Sequence, residues 1–266
     1  MDRIKGWASI TAAYNRGVIP RFFAPGARPG ELTELPGDEA QHLTRVLRLA
    51  AGAAVIVFDG LGHEFDGVVA RTGKSGASVQ LGAAREPSAR EAGVAVTLAQ
   101  AVVKGDKMDD IVRDAVMMGV AAIQPLVSAR SEIALAALER GRRQARWQRV
   151  AVASAKQCGR AIVPAVLVPC ALERVTVALA ERMLPGPGLM FVEPSAAAEV
   201  VSLSDLDGQR PRETTVLVGP EGGWERSEIE QAAATCRLVT LGSRTLRADA
   251  VPVVAMAALF AIWKEF

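Results

Sequence analysis

Hydrophobic positions follow two different rhythms along the chain. In the first third, short runs with β-strand character alternate with Gly and Asp turns, and one helical pattern interrupts them. The predicted strands are residues 53–59, 63–71 and 77–81, and the predicted helix is residues 39–49. Short strands at close spacing are typical of a small barrel or sandwich.

Beyond residue 92, apolar strand-like runs alternate with amphipathic helical patterns. The predicted strands are residues 94–99, 122–126, 188–192, 215–218 and 238–241. Asp106 is expected to cap a helix whose buried stripe begins at Met108, and residues 227–235 form another helix. This alternation indicates an α/β domain with a largely parallel sheet. The expected organisation is an N-terminal extension at 1–20, a small β domain at 21–88 and an α/β domain at 89–266.

The composition is that of an ordinary globular protein. Half of the 266 residues are hydrophobic, which is ample for a core. The three cysteines have no metal-ligand spacing, and an odd number does not suggest a disulfide framework, so we predict no metal site. Without a signal peptide or a long uncharged apolar span, the sequence predicts a cytoplasmic protein. Residues 251–263 are apolar but too short to cross a bilayer, and a buried helix is expected there.

Positive charge is concentrated in residues 139–160. One acid stands there against seven basic residues: Arg140, Arg142, Arg143, Arg146, Arg149, Lys156 and Arg160. Apolar positions from Trp147 to Cys158 fall at helical spacing, which places the arginines on the opposite face of a helix. Two interpretations stay open: a solvated helix face, or a surface for a polyanion.

Three predicted strands of the second half continue into irregular loops. These loops are residues 191–194 (FVEP), 219–223 (GPEGG) and 241–247 (LGSRTLR). In open α/β sheets, ligands gather outside the carboxyl ends of strands, although glycine corners are also common without a ligand. The absence of a GxGxxG, Walker or HExxH motif disfavours ordinary nucleotide, P-loop and zinc-protease sites. Both histidines, His42 and His63, lie in the first half, so no nucleophile–base pair is evident.

The motifs of these loops resemble a known class. Gly219-Pro-Glu-Gly-Gly223, then Leu241-Gly-X-Arg-X-Leu-Arg247 and an apolar C-terminal helix, resemble the SPOUT class of S-adenosylmethionine-dependent RNA methyltransferases. Four further motifs are similar to the RsmE family, which methylates the N3 nitrogen of a uridine in 16S ribosomal RNA. They are Arg21-Phe-Phe23, His42-Leu-X-Arg-Val-Leu-Arg48, Lys107-Met108 with Gly119-Val120, and Gln157-Cys-Gly-Arg160. The resemblance covers about residues 21–264.

This resemblance implies a fold and a cofactor. The fold would be a PUA-like RNA-binding β-barrel followed by a SPOUT domain with a parallel sheet and a deep trefoil knot. The cofactor would be S-adenosyl-L-methionine, held largely by loop backbone that glycine allows to come close. The implied cofactor-binding residues are Val192, Glu193, Leu217, Val218, Gly219, Pro220, Glu221, Gly222, Gly223, Leu241, Gly242, Ser243, Leu246 and Arg247.

Catalysis requires the donor and the acceptor to be held in line and the N3 proton to be removed. Arg247 and Arg244 are candidates for stabilising negative charge on the uracil oxygens. Glu221 and Asp249 are candidates for orienting the acceptor or accepting its proton. Each of the four could instead belong to a structural ion pair. The family ends this motif in Leu-Arg-Thr/Ala-Glu-Thr-Ala, whereas this chain has a shorter carboxylate at Asp249 and no hydroxyl at position 250.

The implied partner is small-subunit ribosomal RNA, within an assembled subunit, and the class implies a homodimer with neither membrane nor metal. The predicted RNA-binding residues are His42, Arg45, Arg48, Lys104, Lys107, Arg142, Arg143, Arg146 and Arg160. His42, Arg45 and Arg48 are spaced by three on one helical face, and simple packing of His42 is the alternative. Two other functions stay open: an RNA-binding module without turnover, and a SPOUT methyltransferase acting on another RNA.

Overall fold

The computed structural model describes residues 19–73, 76–196 and 199–266. Contacts divide this part of the chain into two compact units. One holds the residues up to Ala89 together with Gly159–Ile162, and the other holds Arg90–Cys158 and Val163–Phe266. The predicted extension, residues 1–20, lies outside the described residues except for its last two.

A five-stranded sheet forms the first unit. Its strands are β1 (Arg21–Phe23), β2 (Leu32–Glu34), β3 (Ala54–Phe58), β4 (Glu64–Gly73) and β5 (Gly76–Arg85). The strand order is β1-β3-β4-β5-β2, with β1 parallel to β3 and the other neighbours antiparallel. The three predicted strands are confirmed, while β1 and β2, at three residues each, are too short to produce a period in the sequence.

The predicted helix over residues 39–49 is only partly present. Helix α1 (Gly37–Gln41) continues into a π-helical turn, His42–Val46, and ends there. Arg48 has a φ of 52°, in the left-handed region that a helix cannot include. The expectation that His42, Arg45 and Arg48 share one helical face is therefore wrong.

An eight-stranded parallel sheet forms the second unit. Its strands are β6 (Ala95–Ala101), β7 (Ala122–Val127), β8 (Ala165–Val166), β9 (Cys170–Ala171), β10 (Gly188–Phe191), β11 (Val201–Ser202), β12 (Glu213–Val218) and β13 (Cys236–Thr240). The order is β11-β13-β10-β12-β6-β7-β8, and β9 also pairs with β7. The predicted α/β domain with a parallel sheet is confirmed. The central strands are buried along nearly their whole length, as is usual where helices cover both faces of a sheet.

Helices and one 3-10 turn connect these strands. They are α2 (Lys107–Met118), α3 (Leu135–Arg140), α4 (Arg143–Cys158), α5 (Leu172–Ala180), the turn Leu203–Leu206, α6 (Arg226–Ala232) and α7 (Val251–Ile262). Asp106 precedes α2 at the N-cap position, but its side chain makes no capping hydrogen bond and instead accepts one from Arg146 at 3.2 Å. The prediction of a side-chain cap is wrong because the backbone of Asp106, with φ −93° and ψ 1°, lies outside the extended region that a capping residue normally adopts.

The basic segment is divided between two helices. Gly141 ends α3, and α4 then carries the predicted apolar stripe, with Trp147, Ala151 and Ser154 buried. The C-terminal apolar run forms α7, which packs against α2 and buries Met256 among other side chains. No helix in residues 19–73, 76–196 and 199–266 is long and apolar enough to span a membrane. The trefoil knot stays a prediction.

Candidate active site

The carboxyl ends of three neighbouring strands meet at one edge of the parallel sheet. Strand β10 lies between β13 and β12, and Phe191 pairs with Val239 on one side and Val218 on the other. The three irregular loops that follow these strands therefore emerge side by side. They line a cavity of about 460 Å³, within the ordinary size range of small-molecule sites.

Ten of the fourteen residues predicted to bind the cofactor line this cavity. They are Val192, Glu193, Val218, Gly219, Pro220, Glu221, Gly223, Leu241, Leu246 and Arg247. Leu217, Gly222, Gly242 and Ser243 do not line it. Leu217 is fully buried in the hydrophobic core of the second unit, and the Gly222 carbonyl oxygen accepts a hydrogen bond from Arg130 Nη1 at 2.9 Å.

Trp224 fixes two of the loops to each other. Its indole Nε1 donates a 2.9 Å hydrogen bond to the carbonyl oxygen of Phe191, at the end of β10, and the residue is 7% exposed. Its ring also lies against Gly219, where an added Cβ would be 3.1 Å from the nearest ring atom. Packing therefore favours glycine at position 219, because any side chain would press on the aromatic ring.

Two other loop glycines have backbone conformations that favour glycine. Gly223 has a φ of 67° and Gly242 a φ of 101°, both in the region that L-residues rarely adopt. At Gly223 an added Cβ would be 3.4 Å from a carboxylate oxygen of Glu193, whereas at Gly242 it would meet nothing within 4 Å. Conformation, rather than crowding, explains the glycine at position 242.

All four predicted catalytic residues line the cavity, and two of them form a tight ion pair. Arg247 donates from Nε to Asp249 Oδ1 and from Nη2 to Asp249 Oδ2, both at 3.0 Å. The hydrogen bonds from Arg247 lower the pKa of Asp249 to about 2. Because so acidic a carboxyl is a poor proton acceptor, Asp249 fits an orienting role better than that of a general base.

The other two candidates are less constrained. Glu221 Oε1 accepts a 3.0 Å hydrogen bond from the backbone N–H of Lys104 and lies 4.0 Å from Lys107 Nζ. Glu221 Oε2 makes no hydrogen bond to any residue that the structure describes. Arg244 is exposed at the cavity wall and has no carboxylate within 4.0 Å in the described ranges.

The predicted RNA-binding residues of the second unit differ in how their charges are balanced. Arg142 and Arg143 are exposed, and they are called the arginine pair below. Arg146 bonds Asp109 Oδ2 from Nε at 2.8 Å, so its charge is already matched by a carboxylate. Lys104 forms an ion pair with a neighbouring glutamate. Among these predicted RNA-binding residues, the arginine pair is therefore the more available to an anionic partner.

The predicted RNA-binding residues of the first unit also differ from one another, in their packing and in their exposure to solvent. His42 packs edge-on against Phe22, with ring centroids 6.2 Å apart, which favours the packing interpretation. Arg45 and Arg48 are exposed. Arg160 is only 4% exposed, so the prediction that it contacts RNA disagrees with the structure, because its charge is withdrawn from solvent.

Sequence patterns missed several residues of the cavity, among them Trp224 and Arg130, and they missed the site role of Lys107. Arg130 follows β7, far along the chain from the glycine loops, and no local pattern marks it. A lone tryptophan directly after Gly-Gly was a usable signal for Trp224, because large aromatic residues are unusual in an exposed turn. Lys107 was assigned to RNA binding only.

Comparison with known proteins identifies the class that this fold and site define. A family model described as an RNA methyltransferase domain matches residues 90–260, and one described as an RNA methyltransferase PUA domain matches residues 35–82. The chain is 29% identical to ribosomal RNA small subunit methyltransferase E of Synechocystis sp., with 97% of this chain and 80% of that protein covered. It is 28% identical to the Bacillus subtilis protein of the same name, with 85% and 88% covered.

Solved structures extend the comparison to the fold. The crystal structure of ribosomal RNA small subunit methyltransferase E from Neisseria gonorrhoeae, bound to S-adenosyl methionine, is 31% identical to this chain. The two superpose with a TM-score of 0.80 over 92% of this chain and 98% of the other. The chain belongs to the ribosomal RNA small subunit methyltransferase E family.

Proposed function

We propose that this protein transfers a methyl group from S-adenosyl-L-methionine to the N3 nitrogen of a uridine in 16S ribosomal RNA. The observation that carries the proposal is the cavity at the carboxyl ends of β10, β12 and β13, where glycine backbone and ionised side chains meet. Family membership and the cofactor-bound relative support the same activity.

The residues of the cavity fit the cofactor. Its volume suits a ligand of that size, and backbone at Gly219 and Gly223 can approach without an intervening side chain. The loops beginning at Val192, Val218 and Leu241 would hold it. Bound there, the cofactor supplies a methyl group on a sulfonium sulfur, and that sulfur keeps the electron pair of the broken C–S bond.

The chain's own groups must then orient the uracil and remove the N3 proton. Glu221 is the proposed proton acceptor, because one of its oxygens is free of hydrogen bonds to the described residues and it lies at the cavity wall. Asp249, held by Arg247, keeps that part of the wall in place.

We propose further that the substrate is ribosomal RNA within an assembled small subunit. We also propose that the protein acts in the cytoplasm and that it works as a homodimer. The exposed arginine pair supports a large polyanionic partner. Exposed apolar side chains on two packed helices, Met117 of α2 and Val254 of α7, support a second copy as a partner. The proposed RNA-binding domain is residues 21–88 and the proposed methyltransferase domain is residues 89–266.

The decisive experiment is methylation of small subunits purified from cells that lack the gene. Purified protein and labelled S-adenosylmethionine should add one methyl group, which nuclease digestion and mass spectrometry should identify as 3-methyluridine. Stripped 16S RNA should react much more slowly than the assembled subunit. Tight cofactor binding by calorimetry without any transfer to subunits would instead favour a non-catalytic RNA-binding module. A product in another RNA would favour a relative of different specificity.

A further inference from the structure

Lys107, the first residue of α2, places its ammonium group among the carboxylates of the cavity. Its Nζ lies 3.5 Å from Asp249 Oδ2 and 4.0 Å from Glu221 Oε1, and the side chain is 38% exposed. Lys107 also lines the cavity itself. A cation at this position faces the space that a ligand would occupy.

The two ion-pair distances are long for charged partners. Hydrogen bonds between an ammonium and a carboxylate are usually about 2.7–2.9 Å, so neither carboxylate engages the Lys107 ammonium closely. Arg247, by contrast, commits two of its donors to Asp249 at 3.0 Å. The Arg247 side chain is also 74% exposed, where solvent weakens its field.

We infer that Lys107, rather than Arg247, is the catalytic residue that stabilises negative charge on the uracil oxygen beside N3. This inference rests on the proposed function. When the N3–H proton moves to Glu221, the electron pair stays on the ring and spreads onto the neighbouring oxygens, which the ammonium then faces. The N3 electron pair forms the new bond to the methyl carbon as the C–S bond breaks, and the ring becomes neutral again.

A simple phosphate contact is the competing role for Lys107, and the two roles predict different kinetics. A phosphate contact acts before and during the reaction equally, so its loss weakens RNA binding and leaves the saturated rate intact. Stabilisation of charge that develops only on deprotonation acts on the chemical step. Its loss lowers the saturated rate. It also shifts the reaction to higher pH, because the uracil N3–H must then ionise without a nearby cation.

The test is single-turnover methylation of small subunits, with enzyme and cofactor saturating, over a range of pH. Lys107→Met should lower the rate at neutral pH by about 10²-fold, the effect typical of losing one preorganised group, and should shift the pH profile to higher pH. Lys107→Arg should recover part of the rate because it restores the charge. Arg113→Met is the matched control, since Arg113 lies on the same helix between two carboxylates but outside the cavity wall.

Three outcomes would overturn the inference. The first is a normal saturated rate for Lys107→Met with weaker RNA binding, which would identify a phosphate contact. The second is an equal loss in Arg113→Met, which would show a general effect on the helix. The third is a lowered rate with an unchanged pH profile. Lys107→Gln provides a second neutral variant if the methionine variant unfolds. Wild-type protein that binds the cofactor yet methylates nothing would refute the proposed function itself.

Discussion

Replacing Gly219 by alanine should damage the proposed cofactor site more than replacing Gly222 by alanine. An added Cβ at Gly219 would lie 3.1, 3.2 and 3.3 Å from three atoms of the Trp224 indole ring. That ring is buried and its Nε1 is bonded to the Phe191 carbonyl, so it cannot move away without straining the bond that joins two loops. At Gly222 the added Cβ would be equally close, 3.1 Å, to Cβ of Arg130, but Arg130 is an exposed loop residue, and a shift of that loop strains no buried contact.

The geometry sets the size of the difference. Carbon atoms pack best at about 3.5–4.0 Å, so the Trp224 ring would have to shift by several tenths of an ångström. Overpacking of this kind costs about 1–3 kcal/mol of unfolding free energy. Gly222→Ala has to displace only the exposed loop at Arg130, and that shift risks the hydrogen bond from Arg130 to the Gly222 carbonyl, which contributes about 0.5–1.5 kcal/mol. If the displaced loop carries the strain, cofactor affinity falls about tenfold for each 1.4 kcal/mol.

Two measurements on both variants check this prediction. Urea denaturation gives the change in unfolding free energy, and calorimetric titration with S-adenosylmethionine gives the change in affinity. Gly219→Ala should lose more in each. Wild-type affinity in a folded Gly219→Ala protein, or a larger loss in Gly222→Ala, would show that Trp224 does not constrain the loop as described.

Other variants test the charges and the tryptophan. Arg247→Met should raise the pKa of Asp249 from about 2 towards its ordinary value of about 3.9, measured by carbon NMR titration. Because the Arg247–Asp249 ion pair lowers the pKa of Asp249 in the folded protein, the stability that the pair contributes is present above about pH 4 and fades as the pH falls towards 2. An unchanged Asp249 titration midpoint in Arg247→Met would contradict the pairing. Trp224→Phe should lower the unfolding free energy by about 1–3 kcal/mol, since it leaves the buried Phe191 carbonyl without its donor, and an unchanged urea midpoint would contradict this. Neutralising the arginine pair should reduce the slope of the logarithm of the RNA-binding constant against the logarithm of the salt concentration by about one per arginine, while the saturated rate stays near that of the wild type. An unchanged slope would exclude these residues from the RNA contact.

The elements that the sequence predicted well are those whose own residues carry the signal. Strands β6 and β12 are buried along nearly their whole length because both faces of the sheet are covered, and each carries a short apolar run that is visible without any knowledge of its neighbours. Helix α5 was not predicted although one of its faces is buried. The segment Gly159–Ile162 follows α4 directly, yet it bonds within the first unit, through contacts such as Gly62 N–H to Ala161 O.

The candidate site shows the same limit more clearly. Motifs located the three loops, and most of their predicted residues do line one cavity. Which side chains pair inside that cavity depends on distances between segments that are far apart in sequence. Lys107 lies more than a hundred residues from its partners Glu221 and Asp249. Its residue type shows the positive charge, but no sequence pattern shows which carboxylates lie beside it.

The order of strands in the parallel sheet also affects when the site can be assembled during protein synthesis. Strand β6 ends at Ala101, but β12, which covers one of its edges, begins only at Glu213. At about 5–20 residues per second, translation of the intervening chain lasts on the order of 10 s. During that interval β6 can pair with β7 alone, and its other edge is open to pairing with another chain. Aggregation of nascent chains is therefore expected to depend on translation speed between these strands, and the lining of the proposed cofactor cavity is complete only after Val251 has been made.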